Sequence, residues 1–172
     1  TLTKYRSKPE DEANGNGAPP RKLSSLQILC TDPDAARLAF DSLRPVAEGV
    51  FLARDLVNEP ANALGPVEFA ERLQPLARLG LEVEVLGEDK LRELGMGALL
   101  GVAQGSERPP RVVVLQWHGA KSKKAKPICF VGKGVVFDTG GISIKPAGGM
   151  EDMKSDMAGG ACVGGLMEAL AG

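Results

Sequence analysis

Cysteine is scarce in this sequence. Only Cys30, Cys129 and Cys162 occur in 172 residues, far apart and with no Cys-x-x-Cys pair, which leaves no disulfide framework to read. Each sits among apolar or small neighbours, so the expectation is three reduced, buried thiols in a cytoplasmic protein. No hydrophobic run reaches the roughly 18 residues that a membrane helix needs, and the opening residues, TLTKYRSKPEDE, hold no signal-peptide core. An excess of one charge is missing too: 21 Lys and Arg against 22 Asp and Glu give a formal net charge of -1. Without a broad field or a basic stripe, charge-driven binding of nucleic acid or of a membrane surface is not expected. The single histidine, His118, follows Trp117 at the end of an apolar run and reads as structural.

What is present is an ordinary globular composition, 43% hydrophobic and 25% charged, at a length that suits one domain or pieces of two. The sequence opens on Thr1 rather than Met and stops at Gly172 after the helix-like ACVGGLMEALAG, so an internal portion of something longer is expected. Residues 4–24 mix charges with Asn-Gly and Gly-Ala-Pro-Pro and read as a flexible surface loop. LQILCT reads as a strand, after which Asp32 or Asp34 caps a helix that Pro45 should kink or split. NEPANALGP is a loop, VEFAERLQPLARLG a helix ended by Gly80, and LEVEVLG a strand with one wet, acidic face. GEDKLRELGMGALLGVAQGS supplies a helix, a glycine break and a second apolar segment. RVVVLQWHG and PICFVGKG are β-branched runs of the kind found in strands covered on both faces, with the polar AKSKKAK as a hairpin loop between them. Strands alternating with helices make the fold class α/β.

The chemistry concentrates in VGKGVVFDTGGISIKPAGGMEDMKSDMAGG, residues 131–160. Placed at the carboxyl end of the strand PICFVGKG, Lys133 and Asp138 occupy the region where an α/β sheet presents reactive groups. The flanking glycines would let a bulky or charged group approach the main chain. Phosphate is disfavoured: no Ser or Thr and no helix follow Lys133 as a Walker loop requires, and Phe137 stands where a dinucleotide loop needs its third glycine. A metal fits better, because Asp138 and Asp156 are hard oxygen donors that would repel one another unless a cation lay between them. Asp156 also stands at the start of a small-residue helix, where a carboxylate is well tolerated. Taken singly, these residues also suit blander roles: an aspartate before Gly-Gly forms turns, an isolated lysine is solvated, and Met150, Met153 and Met157 fill cores.

GKGVVFDTGGISIKP followed by MEDMKSDM strongly resembles the leucyl aminopeptidase family of two-metal exopeptidases, and LARDLVNEPAN resembles that family's segment entering the catalytic domain. The match runs from about Leu52 to the end of the chain. The resemblance implies that Lys133, Asp138 and Asp156 are metal ligands, Asp138 touching both ions and the other two sharing one. Only a neutral amine has a lone pair to donate, so a metal at Lys133 must displace its proton. Lys145 matches the catalytic lysine, whose ammonium would polarise the scissile carbonyl and stabilise the oxyanion, and Met153 matches a residue of the pocket for the substrate's N-terminal side chain. The implied activity is release of leucine-like N-terminal residues from peptides by a two-metal-activated water, with two divalent ions, manganese or zinc, and a bicarbonate as cofactors.

The same resemblance implies residues 1–33 as the end of a small N-terminal α/β domain with a flexible loop, 34–57 as a connecting helix, and 58–172 as the N-terminal half of a mixed-sheet catalytic domain. It further implies a homo-hexamer that acts on peptides; a cytoplasmic location with no membrane partner is expected from the lack of a long apolar run, and nucleic acid is disfavoured by the near-neutral charge. The family's later segment resembling N-T-D-A-E-G-R, which brings the remaining ligands and the arginine for bicarbonate, does not occur among the 172 residues. The chain alone is therefore expected to be inactive and poorly soluble. In DMAGGAC the glycine pair stands one residue later than in the family, which could shift local helix packing but not Asp156. Two other readings stay open: a non-catalytic protein of this fold that binds DNA or a partner, and a nucleotide-binding α/β domain using the glycine loop.

Overall fold

A computed structural model describes residues 24–122 and 124–172. The loop expected over 4–24 lies, but for its last residue, outside the described residues. Contacts divide the chain into two units, Thr1–Asp41 and Ser42–Gly172.

In the first unit, residues 24–30 have no regular structure, and Leu26, Ile28 and Leu29 are exposed. The strand expected for LQILCT is therefore not formed. A strand needs a ladder partner, and among the described residues none pairs with it. Helix α1 (Pro33–Asn58) then begins. Asp32 rather than Asp34 caps it: its Oδ1 accepts the Ala35 N–H at 3.0 Å, while Asp34 faces Arg37 at 3.7 Å. Pro33 at the first position forfeits a donor that would have been unpaired in any case.

The second unit opens inside α1, which is continuous through Pro45 rather than split there. The lost hydrogen bond is offset by packing further along. Leu56 is buried, Leu52, Ala53 and Val57 lie against the core, and Gly49 meets the last helix backbone to backbone. Helix α2 (Pro66–Leu73) starts at Gly65, whose carbonyl accepts the Phe69 N–H at 2.9 Å and whose own N–H donates to Glu68 Oε2 at 2.9 Å. A 3-10 turn (Gln74–Leu79) continues it and ends at Gly80, whose φ of +83° reverses the chain at no steric cost.

Strand β1 (Glu82–Leu86) pairs antiparallel with β2 (Val112–Gln116), with Val83 opposite Leu115 and Val85 opposite Val113. Val83, Val113 and Leu115 turn toward the core, while Glu82 and Glu84 stay wet. Helices α3 (Glu88–Glu93) and α4 (Gly97–Ala103) lie between the strands, separated by the glycine break that the sequence marks. Arg108, in the loop before β2, donates to Glu68 Oε2 (3.2 Å) and to the Asn62 carbonyl (2.9 Å), tying this loop to the start of α2.

The chain closes with a 3-10 turn (Met150–Ser155) and helix α5 (Ala158–Ala171). Leu56, Leu64, Phe69, Leu73, Met157 and Ala161 form the centre of the core, so α1, α2 and α5 bury their apolar faces together. The helices α1 and α5 cross on glycine. A Cβ added to Gly49 would lie 2.1 Å from the Gly165 carbonyl oxygen, and one added to Gly165 would lie 2.3 Å from the Gly49 oxygen.

Three expectations are corrected. PICFVGKG forms no strand: residues 125–134 carry no regular structure, so AKSKKAK closes no hairpin, and Ile128 and Val131 are 81% and 91% exposed. The only sheet among the described residues has two strands, and β2 is half-buried rather than covered on both faces: Val113 and Leu115 lie against the core, and no residue of the strand is fully buried. All three cysteines are exposed, not buried: Cys30 and Cys129 lie in the two unpaired segments, and Cys162 on the outer face of α5. The α/β class itself stands, as helices with a small antiparallel sheet.

Candidate active site

With no strand beneath it, the loop carrying Lys133 is positioned in another way. Its backbone rests on the first turn of α5. The Gly160 N–H donates to the Lys133 carbonyl at 2.6 Å, supplying one of the orphan donors at a helix start with a main-chain acceptor. The approach is close: a Cβ on Gly132 would lie 2.4 Å from the Gly159 carbonyl oxygen. Asp156, two residues ahead of α5, closes the preceding 3-10 turn by donating its N–H to the Met153 carbonyl at 3.1 Å. These main-chain contacts bring the Lys133 Nζ within 3.0 Å of Asp156 Oδ2.

Asp138 and Lys145 are set by a second, self-contained loop. Asp138 Oδ1 accepts the Gly140 N–H at 2.9 Å, and the Lys145 N–H returns to the Thr139 carbonyl at 2.9 Å. Gly140 has φ +93°, and a Cβ there would lie 2.4 Å from the Ser143 carbonyl oxygen, so glycine is demanded by both dihedral and space. Folded back in this way, Lys145 puts its Nζ 2.8 Å from Asp138 Oδ2 and 3.1 Å from the Asp138 carbonyl oxygen. The hydrogen bond from Lys145, helped by the Gly140 N–H, holds the Asp138 carboxyl below the usual aspartate range, against a small opposing effect of burial. The charge of Lys133 adds to the lowering, so Lys133 is felt at Asp138 as well as at Asp156.

The two pairs differ in one respect. Asp138 is partly exposed and its Oδ1 accepts the Gly140 N–H, whereas Asp156 Oδ2 is buried, accepts no hydrogen bond and meets the Lys133 amine as a 3.0 Å ion pair. A buried carboxylate oxygen that accepts no hydrogen bond is costly, and a bound ion is one way to satisfy it. Two carboxylates and an amine on adjacent loops fit a divalent cation by donor chemistry. Among the described residues no group of three or more His, Cys, Asp or Glu is arranged to hold a metal, so any such centre here depends on the lysine.

Met153 is half-buried on the turn before Asp156 and joins the group through its carbonyl. His118 lies apart, its Nε2 3.4 Å from Glu82 Oε1 on the exposed end of the sheet. A cleft of about 620 Å³ lined by Arg92, Leu100, Gln104 and Pro110 contains none of the candidate residues. The sequence reading missed the part played by Gly132, Gly159 and Gly160; the signal was there in the glycines of GKG and AGG, but their mutual contact is not visible in one dimension.

Residues 51–172 match the cytosol aminopeptidase family, catalytic domain. The chain belongs to the cytosol aminopeptidase family. It is 60% identical over 169 residues to a probable cytosol aminopeptidase of Brucella anthropi and 62% identical over 169 residues to that of Brucella ovis. Each alignment covers 98% of this chain and 33% of the relative, so the chain spans about a third of the length of these relatives. Among solved structures it resembles the leucyl aminopeptidase of Leishmania major in complex with actinonin (TM-score 0.71, 35% identity, 76% of this chain and 25% of that one). It also resembles the bottromycin maturation enzyme BotP in complex with Mn (TM-score 0.69, 41% identity, 82% of this chain and 30% of that one). These cytosol aminopeptidase relatives bear out the resemblance carried by residues 131–160.

Proposed function

We propose that these residues serve a metal-dependent aminopeptidase that releases leucine-like N-terminal residues from peptides. The observation that carries this reading is the buried Asp156 Oδ2, which accepts no hydrogen bond and faces the Lys133 amine, in a chain of a family with a manganese-bound structural relative. Lys133, Asp138 and Asp156 would hold the ions. Asp138, with two oxygens on a rigid turn and a carboxyl kept ionised by its neighbours, is the one suited to bridging. When bound, two divalent ions, manganese or zinc, would supply an activated water and an anchor for the free α-amino group, which is what restricts cleavage to the first residue.

Lys145 takes the oxyanion. Its ammonium sits at the end of a side chain fixed by the 138–145 loop, so it can present a preorganised positive charge where negative charge develops on the scissile carbonyl. Met153, apolar and flexible, lines the pocket for the leaving residue's side chain. Bicarbonate as general base, a homo-hexameric assembly and a cytoplasmic location complete the proposal; no helix among the described residues is long and apolar enough to cross a membrane. The domain limits at 33 and 57 belong to the same proposal.

In this reading the 172 residues contribute three protein ligands, too few to neutralise and shape a two-metal centre, and the isolated chain is expected to be inactive. The decisive experiment compares hydrolysis of a leucine amide by a full-length protein carrying this sequence, stripped of metal and then reloaded with manganese or zinc. Metal-dependent release of free leucine, abolished by acetylating the substrate's amino group, is the expected result. Hydrolysis that is indifferent to chelation or to acetylation would overturn the proposal.

A further inference from the structure

Lys133 and Asp156 lie 23 positions apart in sequence, on a loop without a strand and on a turn ahead of a helix. Nothing in either segment alone sets the 3.0 Å approach of their side chains. What sets it is bare backbone. A Cβ on Gly132 would come within 2.4 Å of the Gly159 carbonyl oxygen, 2.6 Å of its carbon and 2.7 Å of the Gly160 Cα. From the other side, a Cβ on Gly159 would reach 3.0 Å from the Lys133 nitrogen, and one on Gly160 3.1 Å from the Lys133 oxygen. The Gly160 N–H donating to the Lys133 carbonyl at 2.6 Å closes the contact.

We infer that Gly132, Gly159 and Gly160 are positioning residues, a main-chain clamp that sets the distance between the Lys133 amine and the Asp156 carboxylate so that both can reach one metal ion. The inference rests on the metal-binding role proposed above. It differs from a general requirement for glycine in a loop, because Gly134, immediately after Lys133, has nothing within 4 Å of where its Cβ would stand and no positive φ. The clamp is one-sided: side chains are excluded before the lysine and on α5, and tolerated after it.

A methyl group at Gly132 has only backbone atoms to displace, so the two segments must separate by something on the order of an ångström, enough to misplace a ligand whose bond to a metal tolerates about 0.2 Å. Supporting residues around a metal centre typically change affinity by about 10- to 100-fold when altered, and Gly132→Ala is expected to fall in that range. Gly159→Ala and Gly160→Ala, with contacts of 3.0 and 3.1 Å, should weaken binding less, and Gly134→Ala should not.

The test measures Mn²⁺ binding by calorimetry and by electron paramagnetic resonance in a full-length protein carrying this sequence, with far-UV circular dichroism and the thermal midpoint recorded for each variant. Weakened Mn²⁺ binding in Gly132→Ala with secondary structure retained, alongside parent-like binding in Gly134→Ala, is the expected result. If Gly132→Ala does not fold, Gly159→Ala decides in the same way. Parent-like affinity in folded Gly132→Ala or Gly159→Ala, or an equal loss in Gly134→Ala, overturns the clamp while leaving the functional reading intact. Absence of Mn²⁺ binding in the unsubstituted protein overturns both.

Discussion

At the scale of single residues, Lys133 and Lys145 carry the same charge, and each lies beside an aspartate, yet the two are held differently, in keeping with the separate roles proposed for them. Lys145 is tied at both ends: its N–H to Thr139, its ammonium to the side chain and carbonyl of Asp138. Lys133 has an ion pair with Asp156 Oδ2, a buried oxygen that accepts no hydrogen bond. Replacing Lys145 by Met in a full-length, metal-loaded protein should therefore lower kcat by about 100- to 1,000-fold, the usual cost of losing one oxyanion donor, with bound metal little changed. Elemental analysis beside steady-state kinetics checks this. Equal loss of metal and turnover would make Lys145 a structural partner of Asp138 instead. The residue types of this site were legible in part: the two aspartates amid glycines point to a cation by their chemistry, whereas the lysines enter the reading through the family resemblance alone. Their pairing was not: which lysine faces which aspartate depends on the Gly160 to Lys133 hydrogen bond and on the 138–145 turn, both products of backbone geometry.

At the scale of elements, periodicity and caps carried the reading wherever an element finds its partner within the described residues. Asp32 before Pro33, Gly80 after the 3-10 turn and the alternation in LEVEVLG all mark boundaries by local chemistry, and the structure keeps them. LQILCT and PICFVGKG have equally strong composition, but a strand is a relation between two segments, and these two lack a described neighbour. The ion pair of Arg108 with Glu68 lets such an inter-element tie be tested. The Glu68 carboxyl is held below its usual range, first by its own backbone N–H and further by Arg108 and the Gly65 N–H, against some opposition from burial. A lowered folded-state value stabilises the fold above the unfolded carboxyl's range, near pH 4.3, and that contribution disappears as pH falls through the folded value. Glu68→Gln should thus be less stable than the parent at pH 7, and the gap in thermal midpoint should close on acidification below about pH 4. A gap independent of pH would mean that packing, not charge, is responsible. The α1–α5 crossing gives a second contrast. Gly165→Ala, with a Cβ 2.3 Å from the Gly49 oxygen, should cost about 1–3 kcal/mol as an overpacked contact. Gly101→Ala, in α4 with open space around it, should stabilise by about 0.5–1 kcal/mol through the unfolded chain. Urea denaturation of the two variants measures both signs.

At the scale of the whole molecule, the second unit has a well-buried helical centre and a poorly covered margin. Leu56, Leu64, Leu76, Leu91 and Met157 are almost fully enclosed, whereas Ile128, Val131, Ile142 and Ile144 are at least 74% exposed. Those four flank or lie within the candidate site's own loops. Single exposed apolar side chains are ordinary, but several in one unpaired stretch next to main-chain groups that lack a ladder form a template for association. The 172-residue polypeptide prepared alone should accordingly self-associate as its concentration rises, in light scattering coupled to gel filtration. Ile128→Lys combined with Val131→Lys should reduce that association, because charges on an unpaired edge oppose pairing, without lowering the thermal midpoint, since neither side chain contributes to the core. A monomer at every concentration, or association unchanged by the two lysines, would show that this margin is quiet on its own. Association that disappears in the double variant would place the exposed apolar face beside the very loops that hold Lys133 and Asp138, making the cover over that face and the completion of the site one structural question.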